Sequence, residues 1–416
     1  MNSKVCNNAI INNCTYLKDN IAVDNGVITN FRIHETQKLN LCLIKNTTLT
    51  QMNGPVTLKT DDSLRICGHN NLIIIKDKFT IAGQLIFEEN SELIFEFDDA
   101  SNNPEIYFTS DQFNFLELPA TTHLTFRGNG NIWLNDGFKI KFLGKSPTLQ
   151  PTLTLNNAAT LQLLNTGKTF IGGKGKIVID NRSQFYVWAG QHLIIGDKND
   201  DEISILIDRA SIFSVNGLKT VTGLASNAPA KVSFKNATYN INLKQKGILY
   251  IGKNGVMEFN SVDNIPHPGW LETLLIDQYG YFFIDTDGTV ILNKNSLDVF
   301  GEKLTNITPP NGTLSGNGIL QYANTKFAGQ IQKNATMSAM VNTVTFVKNN
   351  INIVPTLPSA TLFIDKSNRK KLKTKCNIIV DLKDDDVIKN EDGISGMVYG
   401  SNKGKLFIIH PNGRRE

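Results

Sequence analysis

The feature that most restricts what this chain can become is a short pattern that recurs along it. A polar turn residue, two further residues and a small residue are followed by x-apolar-x-apolar. Asp180-Asn181-Arg182-Ser183 spells it before Phe185 and Val187, and Asp208-Arg209-Ala210-Ser211 spells it again before Phe213 and Val215. Residues 277–280 with Phe282 and Ile284, 252–255 with Met257 and Phe259, and 156–159 with Leu161 and Leu163 repeat it. Looser copies begin at Glu88 (Ser91, Leu93, Phe95) and Pro119 (Thr122, Leu124, Phe126). A small residue beside a polar one lets the chain turn tightly, and the alternation that follows sends every second side chain to one side. Each copy therefore reads as a corner feeding a strand.

Counted between the leading residues 156, 180, 208, 252 and 277, the steps are 24, 28, 44 and 25 residues. The long step contains 216–231, a Gly, Ser and Ala-containing stretch that reads as a side loop; without it the period stays near 25–28. A unit this short cannot bury an inner face alone, so it must stack on its neighbours strand on strand, with a rise of roughly 4.8 Å per rung. The expected fold class is all-β, a single-chain parallel β-helix (β-solenoid) of irregular rungs of about 25 residues with capped ends. Asn156, Asp180, Asp208, Gly252 and Asp277 should then mark one corner column, with Phe185 and Val187 inside and Tyr186 and Trp188 outside. The competing architecture is a large β-sandwich or two in tandem, which also uses short strands and turns.

Composition agrees with turns and strands rather than helix: asparagine occurs 49 times, while alanine is scarce. Hydrophobic residues make up 40% and charged residues 19%, which supports a packed core and excludes wholesale disorder. The net charge of +4, partly in Arg369-Lys370-Lys371-Leu372-Lys373 and Arg414-Arg415, is too weak to indicate nucleic acid. Cys6, Cys14, Cys42, Cys67 and Cys376 are odd in number and hold no C-x-x-C spacing, so neither a disulfide framework nor a zinc site is expected. Residues 1–30 spell no signal peptide, and no apolar run spells a membrane span.

A second motif places G-x-G before a strand, as Gly128-Asn129-Gly130, Gly173-Lys174-Gly175 and Gly316-Asn317-Gly318. No helix signal follows any copy and the third spaced glycine of a dinucleotide loop is missing, so these glycines read as tight rung corners.

The rung pattern resembles the right-handed β-helix of the pectin-lyase-like superfamily and of bacterial adhesin passenger regions, over residues 56–364. Residues 1–55 read as an N-terminal cap with the first rungs. Side loops are expected near 216–231, 261–270 and 301–313, one or two helical turns within 336–344, and a C-terminal cap or small module over 365–416. The resemblance implies an extracellular or cell-surface location. It also implies a chemistry, because similar β-helix enzymes cleave acidic polysaccharides with stacked carboxylates, sometimes calcium, and a basic residue that removes a proton.

Asp180 and Asp208, with Arg182 and Arg209 close in sequence, are the candidates for such a catalytic set; as corner residues they are equally ordinary turn formers. Asp197, Asn199 and Asp201 carry the 1, 3, 5 spacing of a calcium loop, but Glu202 stands where an EF-hand needs glycine and a strand follows. Calcium is the one cofactor the sequence leaves open. The alternation turns Tyr186 and Trp188 outward, and Tyr281 and Phe283 in the same register; with Trp270 in His267-Pro268-Gly269-Trp270 they are the candidate ligand-binding aromatics. The histidines are scattered and no G-x-S-x-G is present, so nucleophilic hydrolase chemistry has no support.

The resulting expectation is a non-enzymatic binding or structural β-solenoid, adhesin-like or surface-fibre-like, that takes carbohydrate or a protein partner on an outer sheet and would be trimeric if fibre-like. A polysaccharide lyase or glycoside hydrolase, phage tailspikes included, is the alternative.

Overall fold

The computed structural model describes residues 16–109, 115–164, 166–196, 201–217, 228–235, 239–258 and Gly288 in full; of the rest it gives strand segments alone. The chain is an all-β parallel β-solenoid. Strands pair in parallel along every described ladder except the last, where Val398–Asn402 runs antiparallel to Lys405–Ile409. A sandwich, built from antiparallel hairpins, is thereby excluded. Contacts divide the chain into two compact units, Met1–Tyr186 with Gln191–Leu206 and Val187–Gly190 with Ile207–Glu416.

In the first unit each full turn of the chain visits three ladders in order. The first stacks Val27–Phe31, Thr48–Gln51, Asn71–Ile75, Glu92–Phe97, His123–Arg127, Thr152–Asn156 and the second half of Lys168–Ile179. The second stacks Val56–Leu58, Lys78–Ile81, Glu105–Phe108, Asn131–Leu134, Thr160–Leu163 and Gln184–Trp188. The third position of the turn holds two sheets, one from Lys4–Asn7 to Gln84–Phe87 and one from Phe115–Pro119 to His192–Ile195. Alternation along each strand buries every second residue: Leu93, Phe95 and Phe97 are sealed from solvent while Glu92, Ile94 and Glu96 are half-buried. The inward residues stack from rung to rung, with the Phe95 and Phe126 rings 5.5 Å apart and 9° from parallel, and Phe108 meets Phe126 edge-on.

The corners show why asparagine is so abundant. Between the third and first ladders Asn25, Asn46, Asn70, Asn90 and Thr121 each take a positive φ, a conformation asparagine tolerates better than most residues. Their side chains bond to one another: Asn46 Nδ2 donates to Asn25 Oδ1 at 2.8 Å, Asn70 Nδ2 to Asn46 Oδ1 at 3.0 Å, and Thr121 Oγ1 to Asn90 Oδ1. After Asn46, Asn70, Asn90 and Thr121 the next residue, Thr47, Asn71, Ser91 or Thr122, is buried and polar and donates to a backbone carbonyl; Ser91 Oγ, for one, donates to Glu88 O at 2.6 Å. Between the first and second ladders two successive residues are left-handed, Asn157-Ala158 and Asn181-Arg182. The small residues Ala159 and Ser183 that close these turns are fully buried.

The G-x-G copies are corners of a different kind. Gly128 and Gly173 have φ of +98° and +91°, and the second glycine of each copy lies under a phenylalanine ring of the preceding rung. A Cβ on Gly130 would come within 2.2 Å of Phe97 Cγ, and one on Gly175 within 2.2 Å of Phe142 Cγ. Gly316 ends the strand Thr313–Gly316, and the rest of that third copy lies outside the described residues.

The second unit is built on the same plan. Ile212–Asn216, Ile248–Ile251, Tyr281–Ile284, Thr313–Gly316 and Ser338–Met340 form one ladder. Ala230–Phe234, Gly255–Phe259, Thr289–Leu292, Ile319–Tyr322, Thr343–Phe346, Thr361–Ile364 and Asn377–Asp381 belong to another. The paired left-handed corner recurs as Arg209-Ala210 and Gln245-Lys246. Residues 336–344 hold parts of two strands where helical turns were expected.

The expected corner column needs a correction at Gly252. Asn156 and Asp180 do share a level, since Leu155 pairs with Ile179 and Asp180 N donates to Leu155 O at 2.9 Å. In the second unit, however, the residue level with Asp208 is Lys244, whose N–H donates to Ile207 O at 2.9 Å. Gly252 lies one corner further on, level with Asn216, its N–H donating to Val215 O at 2.8 Å. Leu243 pairs with Ile276, and Asp277 beyond it lies outside the described residues. The copies at Glu88 and Pro119 likewise belong to the corner between the third and first ladders. A tight turn makes the same demand at any corner, so one pattern marks several columns.

Candidate ligand-binding face

The outward positions of the second ladder in the first unit form two columns in strict register. One runs Thr80, Tyr107, Trp133, Gln162, Tyr186, and the other Lys78, Glu105, Asn131, Thr160, Gln184. Between them Ile106, Phe108, Ile132 and Leu134 face the core and are buried, so the strand period itself holds the outward set on one surface. All members of the two columns except exposed Lys78 are half-buried.

Four contacts knit the centre of this surface. The Tyr107 and Trp133 rings stack at 6.0 Å and 18°. Glu105 accepts from both, from the Tyr107 hydroxyl at 2.8 Å and from Trp133 Nε1 at 3.2 Å. Lys78 Nζ sits 4.2 Å from the Tyr107 ring centroid. Partial burial, and then the neighbouring Glu105 carboxylate, push the Tyr107 phenol from 10.0 up to about 12. Gln162 Nε2 donates to Asn131 Oδ1 at 3.0 Å, which places an amide edge beside the indole. Chemically this surface can pack against an apolar or sugar ring face and exchange hydrogen bonds with hydroxyls.

The sequence candidates fare differently. Tyr186 lies at the end of the aromatic column, half-buried, with its hydroxyl donating to Gln184 Oε1, and burial raises its pKa. Trp188 was expected on an open face, but it is only 7% exposed. Two residues on, Gly190 N donates to Ala228 O at 3.2 Å, so the chain at Ala228 passes this stretch. The Tyr281, Phe283 and Trp270 side chains lie outside the described residues; Tyr281 and Phe283 are in register with Ile248 and Tyr250.

Asp180 and Asp208 are half-buried turn residues: Ser183 N donates to Asp180 O, Ser211 N to Asp208 O, and Arg209 N to Asp208 Oδ1 at 2.8 Å. Arg182 and Arg209 are exposed. Asp201 is 6% exposed, while Asp197 and Asn199 lie outside the described residues. Among the described residues no group of three or more His, Cys, Asp and Glu side chains is placed to hold a metal. Cys42 and Cys67 are free, and burial drives the Cys67 thiol far above its ordinary value. Sequence reasoning did not single out Tyr107, Trp133 or Glu105. Aligning the Gly128-Asn129-Gly130 strand with its neighbour would have put Trp133 beside Tyr107.

No protein-family model and no curated protein matches this chain. Among solved structures, a TibA fragment hyper-glycosylated by TibC is similar to it at 9% identity and a TM-score of 0.32, covering 95% of this chain and 98% of that one. A likeness at that score carries no argument about the site. Among the described residues no helix is long and apolar enough to cross a membrane.

Proposed function

We propose that this chain is a non-enzymatic binding and structural β-solenoid, adhesin-like or surface-fibre-like in character, that takes carbohydrate on the outer side of the second ladder of its first unit. One observation carries the reading: Tyr107 and Trp133 are stacked on an outward sheet face with Glu105 and the Asn131–Gln162 amides beside them. Aromatic surface bordered by hydrogen-bonding groups is what sugar rings require, since their C–H faces are apolar and their edges polar. The Asp208 carboxylate is engaged within its own turn by the Arg209 N–H, which supports binding over cleavage.

The test is a glycan-array screen paired with a reducing-sugar release assay on the polysaccharides that bind. Binding without release is expected. Release of reducing ends or of unsaturated products would replace this reading with the lyase or hydrolase alternative, and binding to none of the glycans would leave a structural role.

A further inference from the structure

We propose that the face at Glu105, Tyr107, Asn131, Trp133 and Gln162 selects neutral, hydroxyl-rich glycans over polyanionic ones, with Glu105 as the residue that sets the preference. This rests on the carbohydrate reading above. It follows from what each group has left to offer. An ionised carboxylate has about four acceptor positions and no donor. Glu105 uses one for the Tyr107 hydroxyl and one for Trp133 Nε1, so a ligand reaching it must bring donors. Sugar hydroxyls are donors. A uronate or sulfate polymer instead sets like charges against a carboxylate fixed at the middle of the face, and such a juxtaposition is strongly unfavourable.

Lys78 does not rescue a polyanion. It stands level with Glu105 on the neighbouring strand, and its ammonium lies over the Tyr107 ring. The ammonium is held on that ring, so the lysine already occupies the surface a cationic ligand would seek. What the face presents to a ligand is the Trp133 ring, the Asn131 amide and the acceptor positions of Glu105. That combination matches an uncharged polyol with an apolar ring face.

The experiment is affinity electrophoresis of the full chain in native gels. The gels are cast with neutral polymers (dextran, mannan, xyloglucan and mixed-linkage β-glucan), with polygalacturonate and alginate, or with glycol chitosan. At least one neutral polymer should retard the wild type, and the acidic polymers should not. Trp133→Ala should weaken the neutral interaction about tenfold. Glu105→Gln, nearly isosteric, should weaken it several-fold and admit polygalacturonate; circular dichroism checks that the variants fold, and Trp133→Phe stands in if Trp133→Ala does not. Retardation of the wild type by acidic polymers or glycol chitosan alone overturns the neutral preference and leaves the carbohydrate reading standing. Retardation by no polymer overturns both. Neutral binding unchanged in folded Trp133 and Glu105 variants overturns the assignment to this face.

Discussion

Asn70 shows how much a single corner residue carries. Its φ of 58° is strained for any residue with a Cβ except those, like asparagine, that bond locally. Its side chain also donates to Asn46 Oδ1. Asn70→Ala combines both losses and should cost about 1–3 kcal/mol in denaturant unfolding. Asn70→Gly keeps the conformation and should cost less; equal costs would show that strain plays no part. Tyr107 gives a second test at this scale. Its phenol holds its proton to about pH 12 in the folded chain but loses it near 10 when unfolded. The folded state therefore binds the extra proton, so this contribution is complete below pH 10 and drains away as pH rises through 12. The gap in melting temperature between the wild type and Tyr107→Phe should be constant up to about pH 10 and narrow above it. A gap that widens there would mean that burial and the Glu105 carboxylate do not hold the phenol protonated. The abundance of asparagine was legible as turns, whereas its column was not, because the residues that link one Asn to the next vary in number with the corners they cross.

At the scale of one rung, stability comes from contact with the rungs above and below. Phe126 is 1% exposed, stacked on Phe95 and edge-on to Phe108. Phe126→Ala should cost about 3–5 kcal/mol, the range for emptying a phenylalanine site in a core. Hydrogen exchange should quicken most in Glu92–Phe97 and Thr152–Asn156, the strands that flank it, and fade within a few rungs. Uniform quickening from Asp19–Asp24 to His192–Ile195 would contradict nearest-neighbour stacking. Gly130→Ala attacks the next inward column from the corner, since its Cβ would meet the Phe97 ring; overpacking of this kind costs about 1–3 kcal/mol. Strand identity and the inside positions Phe185 and Val187 could be read from alternation alone, and both are buried. Which corner a pattern marked could not, because Gly252-type and Asp180-type turns look alike until hydrogen bonds give them a level.

Across the whole molecule the ladders impose a thermodynamic signature that a globular domain of one core would lack. Each strand in them pairs with its neighbours one turn away, and contacts sort the chain into two units. Free energy in such a stack is close to a sum over rungs and the interfaces between them, so cooperativity weakens as rungs accumulate. The probes are well placed to see this. Trp133 reports on a ladder of the first unit, while far-ultraviolet circular dichroism averages strands of both. In a variant with Trp188→Phe and Trp270→Phe, fluorescence from Trp133 should follow a thermal transition that does not coincide with the circular dichroism curve, and the calorimetric enthalpy should exceed the van't Hoff value. Phe126→Ala should shift the fluorescence transition by several degrees and move the circular dichroism midpoint less. Coincident curves with equal enthalpies would mean that the rungs melt as one body, and additive rung stability would have to be abandoned for this chain.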